Sequence, residues 1–337
     1  MRTVDPDTSS ARAHGVRRAS TRPLILTAAV LALVGLSPPI ADSLGMGYLQ
    51  GSLTRVVILG MAAVALDFIV GYGGLISLGH ALFVGLGSYT AGILIYNLSQ
   101  GWGPGADQAL VVWPLAAGVG ALIGWGLGAL ALRTRGVYFI MVTLAFNQMM
   151  FFLLNSLEAY GGDDGVRLPS RNRLGPLSLD DDVVFFYVCF ALLVLVVVGF
   201  NLLIRSRFGW VIRGARDNDR RMRAIGVRTR RYQLIAFVLA AAVAALAGAL
   251  AVNESQFLSP GISHWTVSGE LLVMVLVGGL GSLIGGVIGA GVLLVLEELA
   301  IDFTSDWQFY VGVGLILVLL VARRGVAGVI LGRHRNV

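Results

Sequence analysis

Apolar segments of about the length needed to cross a lipid bilayer constrain this chain more than any other feature. A transmembrane helix needs ~20 mostly apolar residues, and segments near this length recur from residue 23 to residue 322. They cover residues 23–36, 55–72, 75–97, 110–132, 136–157, 183–204, 232–252, 267–300 and 308–322. The segment 267–300 is too long for one upright helix and contains Gly278, Gly279 and Gly281, so we interpret it as a hairpin of two short helices. The sequence therefore predicts an all-α integral membrane protein, a polytopic bundle of about ten transmembrane or half-spanning helices.

The composition excludes an ordinary soluble domain. Only 13% of the 337 residues are charged and 56% are hydrophobic, whereas soluble domains carry roughly 25% charged residues. The mean hydropathy of +0.81 agrees with a membrane protein. The 45 glycines suit helices that pack closely in lipid, because small residues let two backbones approach each other.

The distribution of arginine predicts the orientation in the membrane. All 25 basic residues are arginines, and 21 of them fall in four segments that alternate onto one side: 1–22, 133–135, 205–231 and 323–337. By the positive-inside rule, this side is cytoplasmic. We therefore expect a cytoplasmic N-terminal tail (1–22), a transmembrane domain (23–322) and a cytoplasmic C-terminal tail (323–337). The net charge of +6 is explained by this topology, so we expect no nucleic-acid partner.

The absence of lysine excludes a P-loop nucleotide site, which needs a lysine at the terminal phosphates. Any ATP-driven work would then be done by a partner. The four histidines, at positions 14, 80, 264 and 334, are scattered, and their spacing gives no metal site. The acidic residues Asp163, Asp164 and 180–182 fall on the predicted extracytoplasmic side. We interpret them as a solvated loop, the alternative being the carboxylates of a membrane enzyme.

The loop 205–231 is a candidate docking element, because it contains ten arginines within 27 residues. A short helix is predicted within it: acidic and amide residues can cap its start, and a glycine can end it. Met222 and Ile225, three residues apart, are expected to share one apolar face. Two interpretations remain open, docking to another protein and an arginine-rich anchor that touches anionic membrane lipid. The residues of this candidate helix are Arg213, Arg216, Asp217, Asn218, Asp219, Arg220, Arg221, Met222, Ile225 and Gly226.

A candidate translocation pathway begins at Asp67, because a carboxylate inside an apolar span is costly and is a functional candidate by default. The nearby glycines predict an interrupted helix, which membranes tolerate only beside protein or a water-filled cavity. The alternatives are an interfacial Asp67 with glycines that only permit close packing, a structural role for His80 and an interfacial Glu270 in place of a gate. The candidates are Asp67, Gly71, Tyr72, Gly73, Gly74, Ser77, His80, Thr143, Asn147 and Glu270.

A packing face is predicted late in the chain, where Gly281, Gly285 and Gly289 form two successive Gly-x-x-x-Gly steps. Such a face packs against another helix in the membrane.

Several motifs, in order, resemble the permease subunits of branched-chain amino acid ABC transporters. The first is Gly-Tyr-Gly-Gly-Leu-Ile-Ser-Leu-Gly-His-Ala at 71–81, continuing through 85–91, and the second is Arg-Gly-Val-Tyr-Phe at 135–139 with Thr-Leu-Ala-Phe at 143–146. The third covers 206–209, 215–219, 224–226 and 236–238, and the fourth is Leu-Val-Gly-Gly-Leu-Gly-Ser at 276–282. The chain is similar to the LivM type of this family.

This resemblance implies an importer permease in the bacterial inner membrane. It implies three kinds of partner: a second homologous permease, two ABC ATPase subunits and an extracytoplasmic substrate-binding protein. A heterodimer with the second permease is implied, and a homodimer remains open. ATP and Mg²⁺ would bind to the ATPases, and this chain would hold no cofactor. The segment 216–226 matches the coupling helix that docks into the ATPase in such transporters.

Two departures from the family pattern affect the expected solute. Asp67 stands where the family usually has asparagine, and the loop 161–165 differs from the usual serine-containing version. Branched-chain or other hydrophobic amino acids are the expected solutes, with urea, short amides or other small polar solutes as the alternative. An ion-coupled secondary transporter is a further alternative, indicated by Asp67 and the interrupted helix.

Overall fold

The computed structural model describes residues 22–43, 49–99, 108–175, 178–303, 307–321 and 325–330. The predicted tails, 1–22 and 323–337, lie largely outside these residues. The described helices, in chain order, are α1 (Arg22–Gly35), α2 (Ser37–Ser43), α3 (Gln50–Asp67), α4 (His80–Ser99), α5 (Ala109–Ala131), α6 (Val137–Asn155), α7 (Asp182–Arg205), α8 (Arg207–Ala224), α9 (Thr229–Ser255), α10 (Trp265–Gly278), α11 (Leu283–Phe303), α12 (Trp307–Val321) and α13 (Val326–Ile330).

The helical architecture agrees with an all-α polytopic membrane protein. Seven of the described helices are long and apolar enough to cross a membrane: α3 with the turn that follows it, α4, α5, α6, α7, α9 and α11. Three further predicted segments form the shorter helices α1, α10 and α12, of 14 or 15 residues. The predicted count of about ten crossings is therefore not confirmed.

The segment 267–300 forms a hairpin, as predicted, but its two helices are unequal. Helix α10 ends at Gly278 after 14 residues, and α11 begins at Leu283 and continues for 21 residues. The prediction of two short helices was wrong for α11, because the glycines that break the segment lie near its first third.

The centre of the bundle is formed by α9 packed between α3, α4 and α5, where small residues bring the backbones together. A Cβ atom placed on Gly87 of α4 would lie 1.7 Å from the carbonyl oxygen of Ala245 in α9, and one on Gly248 would lie 1.8 Å from that of Val84. Only glycine permits this approach, which is typical of helix packing in lipid.

The three glycines of the predicted packing face lie in two different elements. Gly281 is in the α10–α11 turn, and Gly285 and Gly289 are in α11. Gly285 and Gly289 lie on α11 against the backbone of α10, where a Cβ on Gly289 would be 1.8 Å from the carbonyl oxygen of Met274. Gly281 precedes α11 and has a φ of +74°. The predicted packing step from Gly281 to Gly285 is therefore not a step along one helix, since Gly281 forms part of the turn.

A two-stranded β-ribbon joins the α6–α7 connection to the segment that follows α9. Strand β1 (Val166–Arg167) pairs antiparallel with β2 (Phe257–Leu258). Beside it, the backbone N–H of Asn172 donates to the side-chain oxygen of Asn253 at 2.7 Å, and the Asn253 amide donates to the Asn172 side chain at 2.8 Å. Both asparagines are buried, so this pair fixes the α6–α7 connection to the end of α9.

Candidate functional site

An interruption in the helices, at the position that the glycines predicted, begins the candidate site. Helix α3 ends at Asp67, a π-helical turn covers Phe68–Tyr72, and irregular backbone leads to His80, where α4 begins. Such π-helical turns are frequent at functional sites. Tyr72 is half-buried, Gly73 is buried, and Gly74 is exposed with a φ of +68°.

Asp67 connects this interruption to the α10–α11 turn. Its carboxylate is fully buried, and Oδ1 accepts a hydrogen bond from the backbone N–H of Gly281 at 2.8 Å. Gly71, one turn later, packs against the same segment, where a Cβ atom would lie 2.4 Å from the Gly281 nitrogen. Asp67 is thus enclosed by protein and not placed at an exposed interface.

Arg216 connects the interruption to α8. Its guanidinium donates a hydrogen bond to the carbonyl oxygen of Gly71, which lies in the π-helical turn. Arg213 has a different role, because it donates to the carbonyl oxygens of Gly209 at 3.2 Å and Ile204 at 3.1 Å and so holds the corner between α7 and α8.

Helix α8 consists of two parts that meet at Asn218. The backbone of Asn218 is non-helical (φ −158°, ψ 92°), and its side-chain oxygen accepts from the N–H of Arg221 at 2.9 Å. Asn218 thus caps the second part, as an asparagine at such a position does. Gly226, with a φ of +87°, follows its end.

Asp219 joins three elements beside this kink. Its carboxylate contacts the guanidinium of Arg135 in the α5–α6 connection at 2.5 Å and that of Arg223 at 2.7 Å. It also accepts from the hydroxyl of Thr229, the first residue of α9, at 2.6 Å. The pairing of Asp219 with Arg135 could not be predicted from local patterns, because the two residues are far apart along the chain.

The two faces of α8 differ in character. Val211, Ile212, Ala215 and Met222 are buried, while Asp217, Arg220 and Arg221 are exposed. The prediction that Met222 and Ile225 share an apolar face was wrong, since Met222 is 6% exposed and Ile225 is 62% exposed. Ile225 lies past the last helical residue and turns outward. Trp210, 63% exposed on the same helix, was not among the predicted residues.

A second group of predicted residues forms a buried polar patch between α4, α6 and the start of α10. The hydroxyl of Thr143 accepts from the N–H of Leu78 at 3.3 Å, and that of Ser77 accepts from the N–H of Gly79 at 3.2 Å. The amide of Asn147 donates to the carbonyl oxygen of Ser263 at 3.0 Å. Thr143 and Asn147, four residues apart, therefore lie on one face of α6.

Within the described residues, two polar atoms of this patch have no hydrogen-bond partner, Oδ1 of Asn147 and the hydroxyl of Ser263. Both ring nitrogens of His80, the first residue of α4, also lack one. The His80 ring lies edge-on to the rings of Phe83 and Phe237, with centroids 5.8 and 6.3 Å away. Buried polar groups are normally satisfied, so the patch retains hydrogen-bonding capacity. Ser263 was not predicted, because a serine in a loop gives no sequence signal.

Glu270 is not brought to this patch. It is exposed on α10, and its charged neighbours are Arg55 and Glu297. These two form an ion pair at 3.7 Å, near the start of α3 and far along that helix from Asp67.

Two of the acidic residues after α6, Asp181 and Asp182, have structural partners. Asp181 caps α7 by accepting from the N–H of Val183 at 2.9 Å, and Asp182 pairs with Arg171 at 2.7 Å. Among the described residues, no group of three or more histidine, cysteine, aspartate or glutamate side chains is placed to hold a metal ion.

Membrane-length helices, a buried polar patch and a basic helix packed against a helix interruption define a membrane transport component. The chain belongs to the family of branched-chain amino acid transport system permease components, whose model matches residues 48–322. This match confirms the resemblance noted in the sequence. The members of this family are permease components of transport systems and are not enzymes.

Curated relatives agree with this assignment. The chain is 31% identical to the high-affinity branched-chain amino acid transport permease LivM of Escherichia coli, over 81% of this chain and 67% of LivM. It is 30% identical to LivM of Salmonella typhimurium, over 79% of this chain and 66% of the relative. LivH of Salmonella typhimurium is 29% identical, over 79% of this chain and 91% of LivH. The match thus spans about two thirds of the LivM chains, and no solved structure matches significantly.

Proposed function

We propose that this chain is the LivM-like permease subunit of an ATP-binding-cassette importer for branched-chain or other hydrophobic amino acids. The observation that carries the proposal is the contact between Arg216 of α8 and Gly71 of the helix interruption. It joins a basic surface helix to the part of the bundle where the backbone leaves regular α-helix.

Helix α8 is the proposed coupling helix. Its apolar residues anchor it on the bundle, and its exposed residues, including Asp217, Arg220, Arg221 and Trp210, are available to a partner. Tryptophan and arginine are enriched where proteins bind one another. The proposed partners are two ABC ATPases, which hold ATP and Mg²⁺, while this chain binds neither.

Two contacts are proposed to carry movement from α8 into the bundle. A shift of α8 displaces Arg216 and with it the turn at Gly71, and Asp67 passes the displacement to the α10–α11 turn through Gly281. ATP-driven closure of the ATPases then favours one orientation of the pathway. The ATPases would shift the population of the permease toward that orientation because they contact it more favourably than the other one.

The proposed pathway follows the buried polar patch. Asn147, Ser263 and His80 offer donors and acceptors that lack partners among the described residues, and such groups can replace part of the water around the amino and carboxyl groups of a solute. The same feature favours a second candidate, a permease for urea, short amides or another small polar solute.

The assembly we propose contains a second homologous permease and an extracytoplasmic substrate-binding protein. LivM and LivH relatives both match this chain, which supports pairing between two homologous permeases. We propose that the chain lies in a bacterial inner membrane, with the loop 205–231 and both termini in the cytoplasm. The arginine-rich segments support this orientation through the positive-inside rule.

A triple substitution tests the docking role. Arg216→Ala/Arg220→Ala/Arg221→Ala is expected to abolish uptake and ATPase co-purification, while the protein remains inserted in the membrane. The matched control is Arg12→Ala/Arg17→Ala/Arg18→Ala, which removes the same charge from the N-terminal tail and is expected to keep both. Normal uptake by the first variant would overturn the docking role.

A further inference from the structure

A basic cleft lies beside α8, on the side of the α5–α6 connection. Its volume is about 700 Å³, and its walls come from the backbone after the π-helical turn, the α5–α6 connection, α8 and the start of α9. Seven arginines and one carboxylate, Asp219, line it. The arginines are Arg133, Arg135, Arg216, Arg223, Arg228, Arg230 and Arg231.

The charge of this basic cleft is not balanced within the described residues. Asp219 is shared by Arg135 and Arg223, and Arg230 donates to the carbonyl oxygen of Ala129 at 2.9 Å. The side chains of Arg133, Arg228 and Arg231 make no hydrogen bond or ion pair with any described residue. Guanidinium groups bind phosphate strongly and in two-pronged geometry, so the cleft suits an anion with several phosphate oxygens.

The surroundings of the basic cleft favour an amphiphilic anion. Leu75 and Ile76 line it together with the arginines. Next to the α5–α6 connection, Leu130, Val137 and Tyr138 are exposed on helices that are long and apolar enough to cross a membrane. Large apolar side chains exposed at the ends of such helices are suited to contact with lipid. The cleft borders this apolar surface, so a headgroup bound in it would leave its acyl chains along α5 and α6.

We propose that the basic cleft binds the phosphate group of an anionic membrane lipid. Basic pockets between transmembrane helices at the cytoplasmic surface are suited to such headgroups. The lipid phosphate lies against Arg133, Arg228 and Arg231, while its acyl chains follow the apolar surface of α5 and α6. A lipid held there braces α8 against the α5–α6 connection. The proposal is independent of the transported solute and of the ATPase partners.

Native mass spectrometry of the full chain, with the subunits that co-purify, tests this site. The protein is titrated in detergent with phosphatidylglycerol and, separately, with phosphatidylcholine. Phosphatidylglycerol is expected to bind more tightly. Arg133→Gln/Arg228→Gln is expected to weaken its binding by roughly tenfold or more, since each basic residue near an anionic surface contributes substantially to lipid affinity.

Two further variants test whether a loss of lipid binding comes from the arginines of the cleft, rather than from a lower net charge or from misfolding. Arg205→Gln/Arg207→Gln removes the same charge from exposed residues of α7 and α8 that do not line the cleft, and is expected to bind the lipid as the unmodified protein does. Arg133→Lys/Arg228→Lys keeps the charge and is expected to lose less than the glutamine variant.

Three results would overturn the proposal. One is equal affinity for the two lipids. Another is an equal loss of phosphatidylglycerol binding in the cleft variant and its matched control. The third is displacement of the lipid by inorganic phosphate at equal concentration, which would assign the cleft to a soluble anion.

Discussion

The guanidinium of Arg216 in α8 donates a hydrogen bond to the carbonyl oxygen of Gly71 in the π-helical turn after α3. A carbonyl next to an irregular turn has fewer partners along its own helix, so it is free to accept from outside. This single contact is the most direct link between the surface helix and the interrupted helix.

Replacing Arg216 by lysine separates two proposed roles of α8: docking to the ATPase, and transmission of movement through the contact with Gly71. Lysine keeps the positive charge for an ATPase but lacks the planar fork of the guanidinium. A hydrogen bond to a charged group contributes about 1.5–3 kcal/mol, so we expect Arg216→Lys to lower uptake by roughly tenfold or more while ATPase subunits still co-purify. Uptake in cells and pull-down of the tagged chain measure the two effects. Unchanged uptake would remove the Gly71 contact from the mechanism.

Substitution of Asp67 tests its bond to Gly281. Asp67→Asn retains the Oδ1 acceptor and is expected to unfold within a few degrees of the unmodified protein. Asp67→Leu leaves the part-buried N–H of Gly281 without its partner, which costs about 1–3 kcal/mol. The midpoint of thermal unfolding in detergent compares them. Equal midpoints for the leucine and asparagine variants would show that the Gly281 bond does not hold the turn.

Gly87 tests the close packing of α4 on α9. In Gly87→Ala, the new methyl group would collide with the carbonyl oxygen of Ala245, and overpacking of this kind costs about 1–3 kcal/mol. Gly118→Ala in α5 is the matched control, because nothing lies within 4 Å of its Cβ position. We expect less folded protein and a lower unfolding midpoint for Gly87→Ala only. A similar result for both variants would contradict this packing.

Asn147 lies in the buried polar patch of the proposed pathway, so its replacement is expected to affect transport. Asn147→Ala removes the bond to the Ser263 carbonyl and the unpartnered oxygen, so we expect uptake per inserted molecule to fall roughly tenfold, the effect of about 1.4 kcal/mol. Ser156→Ala at the end of α6 is the control, since its hydroxyl is exposed and contacts only its own helix. Initial uptake rates, normalised to the amount of protein in the membrane, check this. Equal rates for the two variants would exclude Asn147 from the pathway.

Local patterns predicted the elements well. Hydropathy located the seven membrane-length helices, and glycine spacing located the interruptions at Gly71–Gly74 and Gly278–Gly281, because both signals depend on neighbouring residues. The number of crossings was harder to predict, since apolar character alone does not distinguish a 14-residue helix such as α10 from a full span.

The contacts between elements could not be predicted from sequence spacing. Asp67 and Gly281 are 214 positions apart, and Arg216 and Gly71 are 145 positions apart. The sequence marked Asp67, Gly71 and Arg216 as candidates for their chemistry. It did not indicate that Arg216 meets Gly71, because that depends on how α8 packs on the bundle.

The importer function is tested most directly by uptake of radiolabelled leucine into liposomes that contain the purified chain, its co-purifying permease and ATPases, and the binding protein. Uptake is expected to need ATP and the ATPases together, and to be lost in Arg216→Ala/Arg220→Ala/Arg221→Ala. Uptake by this chain alone, driven by an ion gradient without ATPase, would contradict the importer function and favour a secondary transporter.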